Sequence, residues 1–137
     1  MNPLGFDDIL KGISPTITKD MNIGLNHEYI ADKVLQALYQ MAPLTTPSPN
    51  GMSPIFYKSF WHIVGGDITA AILVALNLGI ILESINTTFI SLIPKIPDHK
   101  KVSDFRLINL CNVFYKLITK VLVNRLRLIL PYVVFDS

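Results

Sequence analysis

The chain has 137 residues, 50% of them hydrophobic and 16% charged, with a formal net charge of +2. Those values bound it to a single domain at most, with enough apolar material for a core, and they exclude a disordered chain. The lone cysteine, Cys111, excludes a disulfide framework and a cysteine metal site, and reads as a small buried residue.

The charge is unevenly spread. Residues 1–86 carry four lysines against seven acids, a net of −3, whereas residues 87–137 carry eight Lys or Arg against three acids, a net of +5. This asymmetry points to a polyanionic partner for the C-terminal half, with a solvated basic face as the alternative. The N-terminus lacks a basic segment followed by an apolar core, so no signal peptide is expected and an intracellular location, nuclear or cytoplasmic, is.

In chain order, residues 1–25 show no sustained period and contain Gly5, Gly12, Pro15 and Gly24, which predicts a loosely ordered lead-in. Asn26 then offers a helix cap. Ile30, Val34, Ala37, Leu38 and Met41 follow at three- and four-residue spacing, the mark of an amphipathic helix that Pro43 ends. Pro43, Pro47, Pro49 and Pro54 make the next stretch a turn or extended linker, in which Asn50-Gly51 suits a tight turn.

Ser53-Pro54 starts a second helix, with Ser as cap and Pro at the first position, and Phe56, Phe60 and Trp61 give it an aromatic face. Gly65-Gly66 is expected to break it, with Asp67 capping a third helix over 68–82. That run is apolar nearly all round, is bounded by Asp67 and Glu83 and interrupted by Asn77. It is too short to cross a bilayer core of roughly 30 Å, so a buried helix and no membrane partner are expected.

Residues 86–93 are rich in Thr, Phe and Ile, and Pro94 and Pro97 stop them, which predicts a strand. Residues 105–110 form the returning strand. Lys95, Lys100 and Lys101 lie between the two and Arg106 opens the return, so a hairpin gathers four cations near its tip, a pattern suited to a polyphosphate. The expected architecture is α+β and helix-dominated, with a two-stranded antiparallel hairpin (88–93 with 105–110) packed against helices at 68–82 and 113–130.

The last helix starts after Asn112. Phe114, Leu117, Ile118, Val121, Leu122, Leu128 and Ile129 form its apolar face, with Lys116, Lys120 and Arg127 opposite, and Pro131 ends it. Arg125 projects from the apolar face, where it needs a partner: Asp67, Glu83, Asp136 or the C-terminal carbonyls of the 68–82 helix.

The segments FISLIPK (89–95), KVSDFRLINLCNVFYKLITKVL (101–122) and NRL (124–126) together closely resemble the start of the reverse transcriptase domain of plant non-LTR retrotransposons, of the long-interspersed-element type. The resemblance runs from about Pro47 onward. It departs from the family where Lys-Ala-Pro-Gly-Pro-Asp-Gly is replaced by Thr45-Thr46-Pro47-Ser48-Pro49-Asn50-Gly51, and at Leu107 and Asn109, where the family has Pro and usually Ser.

The resemblance implies a lead-in and connector helix over 1–46 and, over 47–137, a truncated reverse transcriptase domain: the fingers part of a right-hand polymerase without its palm. It implies that Lys95, Lys100, Lys101 and Arg106 neutralise the triphosphate of an incoming deoxynucleotide. Arg106 leads, because a planar guanidinium grips phosphate oxygens in bidentate fashion, with an ion pair to Asp104 or a capping role as its alternative. Lys116, Lys120 and Arg127 would meet an RNA or DNA template backbone or simply face solvent.

Nucleotidyl transfer needs paired carboxylates holding two divalent metals about 4 Å apart. Asp7-Asp8 in the irregular lead-in and the isolated Asp98, Asp104 and Asp136 offer no such set, and after the NRL segment, where the family carries them, no F-x-D or Y-x-D-D strand occurs. No catalytic or metal-ligating residue is therefore assigned. Mg²⁺ is implied only for the full-length family enzyme, and the chain by itself is expected to be inactive. His27, His62 and His99 lack ligand spacing. The rival readings are a non-catalytic nucleic-acid-binding module and a degenerate open reading frame without a selected function.

Overall fold

The computed structural model describes residues 16–43 and 48–134. Asp7, Asp8, Thr45, Thr46, Pro47, Phe135 and Asp136, on which parts of the sequence reading fall, lie outside the described residues.

The described elements are α1 (Lys19–Asn26), α2 (Ala31–Gln40), α3 (Pro54–Ser59), α4 (Trp61–Leu78), α5 (Glu83–Asn86), β1 (Thr88–Pro94), a 3-10 turn (Val102–Asp104), β2 (Phe105–Cys111), α6 (Val113–Leu126) and α7 (Leu130–Val134). The chain is thus helix-rich with one two-stranded antiparallel sheet. Glu28–Asn124 form one compact unit, and the described residues of Met1–His27 and Arg125–Ser137 form another.

In the larger unit the core is helical. Val34, Ala37 and Leu38 of α2 meet Tyr57 of α3, Ile68, Ile72 and Ala75 of α4, and Val113, Leu117, Ile118 and Val121 of α6. α2, α4 and α6 each contribute residues three and four apart, which is how one face of a 3.6-residue period becomes buried. Tyr57 also meets the ring of Phe114 edge-on at 5.8 Å. Two polar side chains fasten this frame. The Asn77 amide accepts from Tyr29 N–H (2.8 Å) and donates to Tyr29 C=O (3.1 Å), tying the chain ahead of α2 to the last turn of α4. The Lys58 ammonium donates to the carbonyls of Tyr39 and Met41 at 3.1 and 2.7 Å, a cation at the negative end of α2.

Several sequence expectations are corrected. Gly65-Gly66 do not break a helix: α4 runs through them from Trp61, and the boundary falls instead at Phe60, where φ −107° and ψ 20° depart from helical values. Gly65 is buried, and its missing side chain lets the Trp61 indole lie against the backbone, so the glycine serves packing rather than termination. Gly79 (φ 70°) is the terminator, in the left-handed conformation that favours glycine.

With 18 residues, α4 has the length and composition to cross a membrane, contrary to the expectation from the shorter 68–82 run. Gly65, Ile68, Ile72 and Ala75 on it are nevertheless buried within the chain. Residues 19–25 are helical rather than irregular, because Thr18 caps α1 by accepting from Met21 N–H at 3.2 Å. Asn26 closes that helix instead of opening α2, its Nδ2 donating to the Asn22 carbonyl at 2.9 Å.

β1 and β2 pair in the register Thr88↔Cys111 to Pro94↔Phe105. Asn86, expected in the strand, belongs to α5. No residue of either strand is buried. The half-buried positions are Ser91 of β1 and Phe105, Ile108, Leu110 and Cys111 of β2, while α4 and α6 turn Ile68, Ile72, Ala75, Leu117, Ile118 and Val121 into the core.

Asn112 caps α6 as expected, its Oδ1 accepting from Phe114 N–H at 3.0 Å. The helix stops at Leu126, not at 130, and a tight turn follows, with Ile129 N–H donating to Leu126 C=O at 2.9 Å. Pro131 sits in the first turn of α7, where its missing N–H costs nothing.

In the smaller unit, the Arg125 guanidinium donates through Nη1 to the carbonyls of Leu25, at 2.8 Å, and His27. These carbonyls close α1, so a helix C-terminus, the kind of partner the sequence points to, holds the guanidinium here.

Candidate polyphosphate-binding hairpin

The hairpin tip is built by its own backbone and one carboxylate. Lys95 N–H donates to Asp104 C=O at 2.7 Å, extending the ladder one pair beyond the strands. The loop then returns through the 3-10 turn, where Asp104 N–H donates to Lys101 C=O at 2.9 Å. The Asp104 carboxylate reaches back to accept from Lys100 N–H (3.0 Å), Lys101 N–H (2.8 Å) and Ser103 Oγ–H (3.4 Å).

The Lys100 N–H, then the Lys101 N–H, hold the Asp104 carboxyl below its ordinary 3.8, against a small opposing effect of burial and with further help from Ser103. The Lys95 ammonium crosses the tip to the Ser103 carbonyl at 2.8 Å, and the His99 ring meets Phe105 edge-on at 4.7 Å.

This wiring decides what charge remains available. Asp104 is occupied by backbone N–H groups, so it does not form the ion pair with Arg106 that its position two residues away would allow. Asp98 pairs with Lys100 at 3.2 Å, but with those side chains 76% and 84% exposed the pair is worth little. Lys101 and Arg106 are exposed, and neither makes a hydrogen bond or ion pair through its side chain among the described residues.

The register sets Arg106 opposite Ile93 and Lys95 opposite Asp104, so strand alternation carries Lys95 and Arg106 to the same face as diagonal neighbours. Lys95, Lys100, Lys101 and Arg106 are therefore gathered on one exposed hairpin end.

The second group is only partly assembled. Lys116 and Lys120 lie four residues apart on α6 and are half-buried. Arg127 lies past the end of that helix, so the three do not form one helical stripe. Asp104, which shapes the loop, is the residue that reading by charge alone missed. A signal was present: an acid three residues after Lys101, the spacing at which a side chain reaches back to the N–H at the start of a helical turn. Among the described residues no group of three His, Cys, Asp or Glu is placed to hold a metal ion.

The chain is similar to the transposon TX1 uncharacterized 149 kDa protein of Xenopus laevis, 25% identical over 134 residues. The match takes in 98% of this chain and 10% of the Xenopus protein, so the chain spans about a tenth of the length of the curated relative it matches. No protein-family model matches the chain. What the similarity supports is a relationship to a transposon protein, over a span that includes the residues before Pro47.

Proposed function

We propose that the chain is the fingers part of a non-LTR retrotransposon RNA-directed DNA polymerase, and that its basic hairpin closes over the triphosphate of an incoming deoxynucleotide beside an RNA or DNA template. The observation that carries this reading is the hairpin tip, where Lys95, Lys100, Lys101 and Arg106 stand exposed while Asp104 is turned inward to shape the loop. The similarity to a transposon protein agrees with it. Arg106 is the lead ligand, since its guanidinium presents a fork of donors to phosphate oxygens. The palm, with its metal-binding aspartates and Mg²⁺, belongs to a longer protein in this reading, so the 137-residue chain binds without catalysing.

Photo-crosslinking tests it. A photoreactive deoxynucleoside triphosphate should label the peptide spanning 95–106, competed by unlabelled triphosphate but not by nucleoside, while primer extension on primed poly-rA with Mg²⁺ or Mn²⁺ yields no product. Labelling spread evenly over the chain, or template-directed synthesis by the chain alone, would overturn the proposal.

A further inference from the structure

A two-stranded sheet has two open edges, and they differ here. β1 is seven residues without a charge, TFISLIP, and Phe89, Ile90, Leu92 and Ile93 are 57, 64, 53 and 45% exposed. β2 carries Arg106 and Asn109, polar residues of the kind that keep an edge solvated.

The ladder phase is set by the bond from Lys95 N–H to Asp104 C=O. In the common register, Ile93↔Arg106, Ser91↔Ile108 and Phe89↔Leu110 are then the hydrogen-bonded pairs. Thr88, Ile90 and Leu92 consequently turn their N–H and C=O groups away from β2, and among the described residues no hydrogen bond takes them up. An uncharged apolar strand with an open row of donors and acceptors is a template for another strand.

We propose that β1 is an interaction surface for a second copy of this chain, joined antiparallel about Ile90 to give a four-stranded sheet in the order β2, β1, β1 of the second copy, β2 of the second copy. The outward-facing residues are self-complementary in that register. Ile90 pairs with Ile90 of the second copy and Thr88 with Leu92 in both directions, each pair exchanging both of its N–H to C=O bonds, the isologous arrangement of a two-fold dimer. Charge selects the antiparallel sense. The basic tips go to opposite ends of the joined strands, about 30 Å apart at Lys95 and beyond the ~8–10 Å screening length, whereas a parallel pairing brings them together.

Sedimentation velocity on the full chain from about 1 to about 100 μM tests this. The expected result is a concentration-dependent species of twice the 15.3 kDa chain mass. Ile90→Pro removes an N–H that faces away from β2, so it keeps the hairpin ladder and should return the protein to monomer; Ile90→Lys, which sets like charges opposite each other, should do the same. Leu107→Lys, on the same sheet face but on β2 and 64% exposed, should still dimerise. Circular dichroism confirms that each variant is folded. A monomer throughout the range, open-ended oligomers, or a dimer lost in Leu107→Lys and kept in Ile90→Pro would each overturn the proposal.

Discussion

Replacing Gly65 or Gly66 with alanine adds one methyl group at adjacent positions of one helix, and the two variants should move stability in opposite directions. In a helix interior, Gly→Ala gains about 0.8–1 kcal/mol from backbone entropy and helix propensity. At Gly66 nothing lies within 4 Å of the new Cβ, which opens toward a pocket of about 300 Å³ bounded by Asp32 and Leu35 of α2 and by Trp61 and Gly65. The whole gain should therefore appear. At Gly65 the new Cβ would stand 2.6, 2.8 and 2.9 Å from Cε2, Cδ2 and Nε1 of Trp61, inside any allowed contact. Moving the indole costs about 1–3 kcal/mol, as overpacking does, which outweighs the propensity gain.

Gly66→Ala should thus gain about 1 kcal/mol and Gly65→Ala lose about 1 kcal/mol, a separation of roughly 6 °C in melting midpoint for a chain of this size. Thermal melts followed by circular dichroism at equal concentration measure it. Equal midpoints for the two variants would refute the reasoning, and with it the account of why α4 continues through two glycines.

Arg125→Leu removes charge-assisted bonds to the Leu25 and His27 carbonyls, one half-buried and one exposed, and should cost about 1–2 kcal/mol after discounting for solvent, read as a lowered melting midpoint. An unchanged midpoint would show that those bonds only decorate the surface. Among the described residues Ser48 Oγ is buried with no hydrogen-bond partner, so Ser48→Ala should stabilise by about 1 kcal/mol in urea titration, and a loss of stability would show that the hydroxyl has one.

The Asp104 carboxyl is held below 3.8 in the folded loop, so its contribution is complete above that value and fades as pH falls below 3.8 through the lowered one. In amide NMR, Lys100 and Lys101 N–H should titrate together with a midpoint below 3.8, and Asp104→Asn should abolish that step. A midpoint at or above 3.8 would contradict the hydrogen-bonded loop.

Much of the local structure was legible because it is decided locally. Pro54 stands at the first position of α3, although the Ser53 side chain makes no cap bond, Asn112 caps α6, and the β-branched and aromatic residues of 88–93 and 105–110 fall within strands that each run one residue further. Gly65-Gly66, Asn26 and Pro131 were misread because each residue type has two uses. Glycine permits a close approach as well as a helix end, asparagine closes helices as well as opening them, and proline fits a first turn as well as following a last one. Which use applies depends on a distant neighbour, such as Trp61 over Gly65, that periodicity does not encode. At the candidate site the cations were legible as composition. The wiring that turns Asp104 inward and leaves Arg106 unpaired by any described residue was not, because it needs the register of the two strands.

In the proposed function the hairpin tip is a phosphate-binding site. Its most direct measurement is fluorescence anisotropy of a labelled single-stranded RNA and, in competition, of a deoxynucleoside triphosphate, across a salt series. It compares the natural chain with one carrying Lys95, Lys100, Lys101 and Arg106 all replaced by Gln. The account predicts at least a tenfold loss of affinity and a salt slope shallower by about 0.7 for each contact removed, while Lys116→Gln and Lys120→Gln together change triphosphate competition less than twofold. Unchanged affinity and slope in the fourfold variant, with its fold intact by circular dichroism, would contradict it.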